Sequence, residues 1–148
     1  DCPDGYWRVE GSRQCFKLWK DNGRIWAQAR TKCEDENSVV AAPADDIAVA
    51  LRQLILDKYD DVVYGVWLDG KAQAGRSGQE MVWQRHQTEL SPDNSLWKEG
   101  AQQRLNGGED RCLLMWTREW VLTDYPTQPY YPALCMTTRA ILCEAIIE

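Results

Sequence analysis

Few side chains in this sequence could carry chemistry, and their spacing decides which chemistry is open to them. The single histidine, His86, stands in Gln84-Arg85-His86-Gln87 with no cysteine or serine close by. A nucleophile–base pair lacks its second member there, so His86 reads as a surface residue. The carboxylates Glu109 and Asp110 are adjacent in the chain, and nothing places two acids on opposite sides of a reacting bond, as general acid–base work requires. The cysteines Cys2, Cys15, Cys33, Cys112, Cys135 and Cys143 contain no C-x-x-C pair, and one histidine is too few for a mixed Cys/His metal site. An even number at long, irregular spacing reads instead as three disulfides made in an oxidising compartment, with the pairing left open. The expectation is a binding protein and not an enzyme.

Composition narrows the partners. The chain has 148 residues, 44% hydrophobic and 27% charged, which suits one globular domain over residues 1–148. The formal charge is −6, which removes the electrostatic basis for nucleic-acid binding. The excess is local: Glu34, Asp35, Glu36, Asp45, Asp46, Asp57, Asp60 and Asp61 face only Arg52 and Lys58 in that window. It reads as the solvated side of helices. No apolar run approaches the roughly 18–20 residues of a membrane span. The start at Asp1 without a signal segment, and the lack of an Asn-x-Ser/Thr sequon, read as a mature secreted chain without N-glycans. Eight Trp beside one Phe suggest that several rings serve surfaces, since Trp is large and partly polar.

The elements that must position these residues follow from periodicity. Residues 6–10 and 14–19 alternate around Gly11-Ser12-Arg13 and read as a hairpin. Asp21-Asn22-Gly23 reads as a turn and N-cap, followed by Ile25, Trp26, Ala29 and Cys33 at helical spacing. Pro43-Ala44-Asp45-Asp46 opens a second helix carrying Ile47, Leu51, Leu54, Ile55 and Lys58. Residues 62–68 read as a buried strand, 71–78 as a turn, 81–83 as a short strand, and 112–115, 120–122 and 140–147 as closing strands. Residues 84–110 are polar and aperiodic, a length of loop that is usually functional. Residues 123–132 form a Pro/Tyr loop.

In this order, Val66-Trp67-Leu68-Asp69-Gly70, Trp97-Lys98-Glu99-Gly100, Gly107-Gly108-Glu109-Asp110 and Ile141-Leu142-Cys143-Glu144 resemble the long-form C-type lectin-like domain over essentially the whole chain. The resemblance implies an α+β fold with two helices, two small antiparallel sheets, a long loop region and the disulfides Cys2–Cys15, Cys33–Cys143 and Cys112–Cys135. All cysteines then pair internally, so no disulfide-linked dimer is expected. Sugar-binding members of that family hold calcium in the long loop through Glu-Pro-Asn or Gln-Pro-Asp after the Trp-x-x-Gly, and through a later Trp-Asn-Asp. This chain has Ala101-Gln102-Gln103 and Trp120-Val121-Leu122 instead. Calcium wants about six to eight hard oxygens, so no metal is expected.

Two further departures bear on the site. Arg111 stands between Asp110 and Cys112, one residue more than the family spacing, and Ser91-Pro92-Asp93 precedes Trp97 and reads as a turn. If calcium bound at all, its shifted ligands would come from Glu89, Asp93, Glu109, Asp110 and Asp124, with the chain acting as a calcium-dependent lectin. The leading expectation is a secreted, extracellular, non-enzymatic recognition module that meets a protein or glycan surface without that calcium contact. Its candidate contact residues are Trp97, Gln102, Gln103, Glu109, Asp110, Tyr125, Tyr130 and Tyr131. Trp116 and Trp120 are expected to turn inward as strand residues do. Binding to a mineral or ice surface is a third reading, for which no repeat supplies a flat face.

Overall fold

A computed structural model of the chain describes residues 2–59, 65–76, 78–117 and 128–146, with side chains left out at 21–23 and 102. The first strand, β1 (Phe16–Arg24), continues through the expected turn at Asp21-Asn22-Gly23, with an irregular register between Trp19 and Arg24 against the last strand, β8 (Arg139–Ala145). Helix α1 (Trp26–Asp35) is therefore capped differently from the expectation. Ile25 has no side-chain oxygen to offer, and Gln28 Oε1 reaches back to accept the Ile25 N–H at 2.9 Å. The hairpin ahead of β1 is reduced to one antiparallel bridge, Trp7 to Phe16, closed by Cys2–Cys15. A short strand β2 (Ser38–Val40) follows α1. A 3-10 turn at Asp45–Ile47 then leads into α2 (Ala48–Lys58), as the Pro-Ala-Asp-Asp entry implied.

Among the described residues eight strands join in one hydrogen-bonded network, where two small antiparallel sheets were expected. The cause is the length of β3 (Val66–Gly75), whose strand character runs through most of the expected 71–78 turn. Its first residues pair in parallel with β8, Val66 to Ala140 and Trp67 to Ile141, and antiparallel with β6 (Arg111–Met115). Its second half pairs with β4 (Gly78–Trp83), which carries β5 (Thr88–Glu89). Residues 62–64 of the expected strand, and the expected strand at 120–122, lie outside the described residues.

Alternation along these strands separates two cores. Val66, Leu68, Leu113, Met115, Ala140 and Leu142 face α2 and the long loop, together with Phe16, Leu51 and Ile55. Trp67, Cys112, Leu114, Ile141 and Cys143 face α1 through Trp26, Ala29 and Cys33. Strands buried on both faces have no polar side to show, which is why they read as continuous apolar runs. The bonds Cys33–Cys143, from α1 to β8, and Cys112–Cys135 complete the pairing the resemblance implied.

The 84–110 stretch is mostly loop, but it holds a third helix, α3 (Ala101–Leu105), and is tied to the first core by Leu90, Leu96, Trp97, Ala101 and Leu105. The end of the expected Pro/Tyr loop is strand instead, because Tyr130–Leu134 forms β7; residues 123–127 of that loop lie outside the described residues. Among the described strands β7 pairs only with β6. An edge position lets Pro132 sit in a ladder without its missing N–H being needed.

Candidate functional site

The surface of the long loop is built from β6, β7 and α3. In the β6–β7 ladder Met115 lies opposite Tyr130 and Leu114 opposite Tyr131. Side chains alternate across a strand, so Tyr130 turns into the first core, fully buried, while Tyr131 turns to the other face and lies half-buried against the edge of the second core. Trp116 follows β6 with its N–H donated to the Pro129 carbonyl at 2.6 Å. Its ring meets that of Tyr131 with centroids 5.7 Å apart and planes 35° from parallel. Two cations cover this pair. Lys98 Nζ lies 5.5 Å from the Trp116 ring and 5.4 Å from that of Tyr131, and Arg104 Cζ on α3 lies 5.4 Å from Tyr131. The result is a half-exposed aromatic ledge with a basic lid, geometry in which cation–π attraction holds flat rings at a surface.

The ledge is supported from below by Arg52, a buried residue of α2. Its Nε donates to the Trp116 carbonyl at 3.0 Å and its Nη2 to the Thr117 carbonyl at 2.8 Å. Sequence reasoning placed Arg52 on the solvated side of the helix and passed over Lys98 and Arg104. Lys98 sits inside a recognised motif, and Arg104 inside an aperiodic stretch, so neither carried a signal of its own.

The expected contact residues are dispersed. Trp97 is a core residue and not a surface contact: it is 6% exposed, donates its ring N–H to the Ser91 carbonyl at 2.9 Å and meets the Tyr130 ring edge-on at 6.4 Å. Tyr130 leaves the candidate set for the same reason. Its hydroxyl has no hydrogen-bond partner among the described residues, and burial pushes its pKa up. Gln103 is exposed on α3 and Tyr131 belongs to the ledge. Tyr125, Asp124, Trp120 and the side chain of Gln102 lie outside the described residues. Trp116, expected to turn inward, is half-buried and part of the ledge.

The described carboxylates of the expected set lie apart. Glu109 pairs with Arg111 at 3.6 Å, and Arg111 also donates to the Pro132 carbonyl at 3.1 Å. Asp110 is exposed, its carbonyl accepting the Cys135 N–H at 3.2 Å. Asp93 lies in the Ser91-Pro92-Asp93 turn, its N–H bonded to Ser91 Oγ at 3.2 Å, and Glu89 is across the loop on β5. Among the described residues no three of His, Cys, Asp or Glu converge. Ala101, which follows Gly100, is buried and carries no side-chain oxygen. The described side chains at these positions do not bring together the roughly six to eight oxygens that calcium takes.

Two clefts flank these elements. One, about 350 Å³, lies between β4, β5 and α3 and is lined by Glu80, Met81, Glu89, Leu90, Pro92 and Leu105, with Gln79 and Asn106 at one end. The other, about 120 Å³, lies beside α1 and β2 and is lined by Arg30, Glu34, Val39, Val40, Asp69 and Arg85. In the second, the buried Asp69 carboxylate accepts the Arg85 N–H at 2.8 Å. The Arg85 guanidinium reaches Glu144 at 3.4 Å, and Glu144 accepts the Ala42 N–H at 3.0 Å and the Gln14 amide at 3.1 Å. Burial raises the pKa of Asp69, and the attraction of Arg85 and Arg30 only partly opposes it. His86, next to Arg85, is exposed.

No protein-family model matches the chain, and no curated protein matches it by sequence. Solved structures match it over nearly its full length. Human lithostathine superposes with a TM-score of 0.70 at 17% identity, covering 99% of this chain and 100% of its own. The C-type lectin CEL-I from Cucumaria echinata gives 0.70 at 12% identity, with 99% of each chain covered. The cow C-type carbohydrate-recognition domain of CD23, crystallised in the presence of a GlcNAc2Man3 oligosaccharide, gives 0.66 at 17% identity, covering 100% of this chain and 98% of its own. The chain has the C-type lectin-like fold.

Proposed function

We propose that the chain is a secreted, non-enzymatic recognition module whose long-loop face contacts a glycan or protein surface without a bridging calcium ion. The observation that carries this reading is the ledge of Trp116 and Tyr131 under Lys98 and Arg104. Ring faces stack on the apolar faces of sugars or on protein side chains, and half-buried aromatic residues with adjacent cations are the residue types that dominate binding hot spots. The described carboxylates that could serve calcium are scattered or drawn into an arginine pair, which favours a direct contact through rings and cations over one made through a metal. Three disulfides and the absence of a long apolar helix among the described residues fit an extracellular setting. Of the expected contact residues, Tyr131 belongs to this ledge, and Gln103 is exposed on the helix that carries Arg104.

A glycan array run with calcium and again with chelator tests the reading. Retention of the same spots in both conditions, with signal lost in Tyr131→Ala, is the expected result. Loss of all signal under chelator refutes it and favours a calcium-dependent lectin. A protein ligand is tested the same way, by comparing capture from the source fluid with and without chelator and with the Tyr131→Ala variant.

A further inference from the structure

The smaller cleft, beside α1 and β2, holds a buried carboxylate with one oxygen to spare. Asp69 is 4% exposed, and its Oδ2 accepts the Arg85 N–H at 2.8 Å. Oδ1 has no partner among the described residues and is left to the cleft that Asp69 lines. Strand β3 aims this side chain at α1. A side chain at Gly70 would meet Leu113 and Met81 of the first core, so the flanking Asp69 and Lys71 belong to the other face, with Trp67. Lys71 Nζ accordingly lies 5.7 Å from the ring of Trp26 on α1, and that ring donates its N–H to the Leu68 carbonyl at 2.9 Å. Arg30, one turn along α1, holds its Cζ 6.0 Å from the same ring, and Glu34 follows one turn later on the rim. Arg30 attracts the Asp69 carboxylate but has no hydrogen bond or ion pair among the described residues. The Arg85 guanidinium, by contrast, is drawn to Glu144 at 3.4 Å.

The charges decide what could enter. A cation would meet Arg30, and an anion would meet Asp69 and Glu34. A hydroxyl group can donate to the carboxylate, and a neighbouring one can accept from the guanidinium. About 120 Å³ is well below the roughly 300–1,000 Å³ of pockets that enclose a whole ligand, and it admits the edge of one ring. A second cleft of about 340 Å³ adjoins it at Val39 and Arg85 and adds Ala145 and the exposed Ile146. That cleft offers apolar surface to whatever follows the ring.

We propose that this cleft binds the end of a neutral glycan through two neighbouring hydroxyls of its terminal ring. One hydroxyl donates to Asp69 Oδ1, and its neighbour accepts from the Arg30 guanidinium. The rest of the glycan lies in the adjoining cleft over Val39 and Ile146, a contact that a small free polyol cannot make. The site shares no residue with the ledge, so the inference goes beyond the recognition reading of the long-loop face and does not rest on it.

The test is an NMR titration of the isotope-labelled whole chain in chelator, following the Arg85 amide and the Trp26 indole N–H. The probes are the methyl glycosides of glucose, galactose and mannose, the glucuronate and glucosamine analogues of the first, and glycerol. At least one neutral glycoside should shift both signals with roughly millimolar affinity, and the charged analogues and glycerol should bind several-fold more weakly. Arg30 is exposed, so Arg30→Met keeps the fold and the stem over Trp26. It should weaken binding about tenfold, the expected loss of one hydrogen bond to a charged group. Asp69→Asn should weaken it similarly: the amide oxygen keeps the Arg85 N–H, the NH2 turns to the cleft, and an acceptor becomes a donor. Tyr131→Ala on the ledge should leave the titration unchanged. Silence to all three neutral glycosides, equal or tighter binding of a charged analogue or of glycerol, or full affinity in both cleft variants overturns the proposal. Loss of the response in Tyr131→Ala also overturns it and assigns the sugar to the ledge. An array signal abolished by chelator refutes the ledge reading and leaves a positive titration, run in chelator throughout, in support of the cleft.

Discussion

Replacing Arg52 with Met tests whether the ledge is held in place from the core. In the folded chain the Arg52 guanidinium spans from α2 to the end of β6 and satisfies the carbonyls of Trp116 and Thr117 at 3.0 and 2.8 Å. A hydrogen bond from a charged donor contributes roughly 1.5–3 kcal/mol, and a carbonyl left buried without a partner costs about 1–3 kcal/mol. Both bonds come from one group, so their losses do not add in full, and the Met stem keeps part of the packing. The expected net loss is about 3 kcal/mol. For a chain near 150 residues each kcal/mol moves the melting temperature by about 2–4 °C, so the midpoint should fall by about 6–12 °C in a calorimetric scan. Arg52→Lys keeps the charge but cannot fork to two carbonyls, and should lose about half as much. Hydrogen exchange adds a local readout: the Trp116 amide, bonded to the Pro129 carbonyl, should lose more protection than the Trp67 amide in the central strand. A loss below about 1 kcal/mol, equal losses for Lys and Met, or uniform deprotection would refute the argument that Arg52 positions the ledge.

The other predictions concern groups whose environment is equally specific. Tyr130→Phe removes a buried hydroxyl without a partner among the described residues and should stabilise the fold by about 1 kcal/mol; a clear drop in urea midpoint would show that the hydroxyl is satisfied after all. For Asp69, burial raises the folded pKa above the usual 3.8, so its favourable contribution is complete below pH 3.8 and is lost as pH rises through the folded value. Asp69→Asn should therefore melt higher than the parent at neutral pH, with an advantage that shrinks to nothing below pH 3.8. A pH-independent difference counts against burial as the dominant cause. Opening Cys33–Cys143 by paired Ser substitutions frees a link between residues 110 apart in sequence and should cost about 4–5 kcal/mol. Opening Cys2–Cys15, with a separation of 13, should cost about 3 kcal/mol. Equal losses in denaturant titrations would argue against loop closure as the origin.

What the sequence revealed depended on whether the relevant physics is local. Helices α1 and α2 were legible because Trp26, Ala29 and Cys33, and then Ile47, Leu51 and Ile55, repeat on one face within a few turns. Strand β7 was not, because Pro126, Pro129 and Pro132 between tyrosines signal a loop. Only the pairing with β6 shows that Pro132 occupies a tolerated edge position. Helix α3 has five residues, too few for a period to emerge. Tyr130 and Tyr131 look equivalent in sequence, and a ladder register set by residues 111–115 assigns one to the core and the other to the ledge. Arg52 and its two carbonyl partners are more than sixty positions apart. In a helix such a residue has the same signature as a solvated charge.

The tryptophans and the acidity have one explanation. A core of this size cannot fully bury every ring, and several half-buried rings, with the buried Trp26, are covered by cations. Lys17 and Lys32 lie 4.5 and 4.1 Å from Trp19, Arg30 and Lys71 lie over Trp26, Lys58 over Trp7 and Lys20 over Tyr59, with Lys98 and Arg104 over the ledge. Long basic side chains lay their stems on apolar surface and their charge on the ring. Many of the 17 bases are occupied in this way, and the acids are left to define the solvated exterior. Most of these lids join packed elements, as Lys32 on α1 does at Trp19 on β1. Lys98 instead rises from a stretch of the long loop that is neither strand nor helix, where a lid can shift without separating a strand from a helix. The same stacking that stabilises the fold elsewhere is therefore available to a ligand at the ledge, which is the physical reason for placing recognition there.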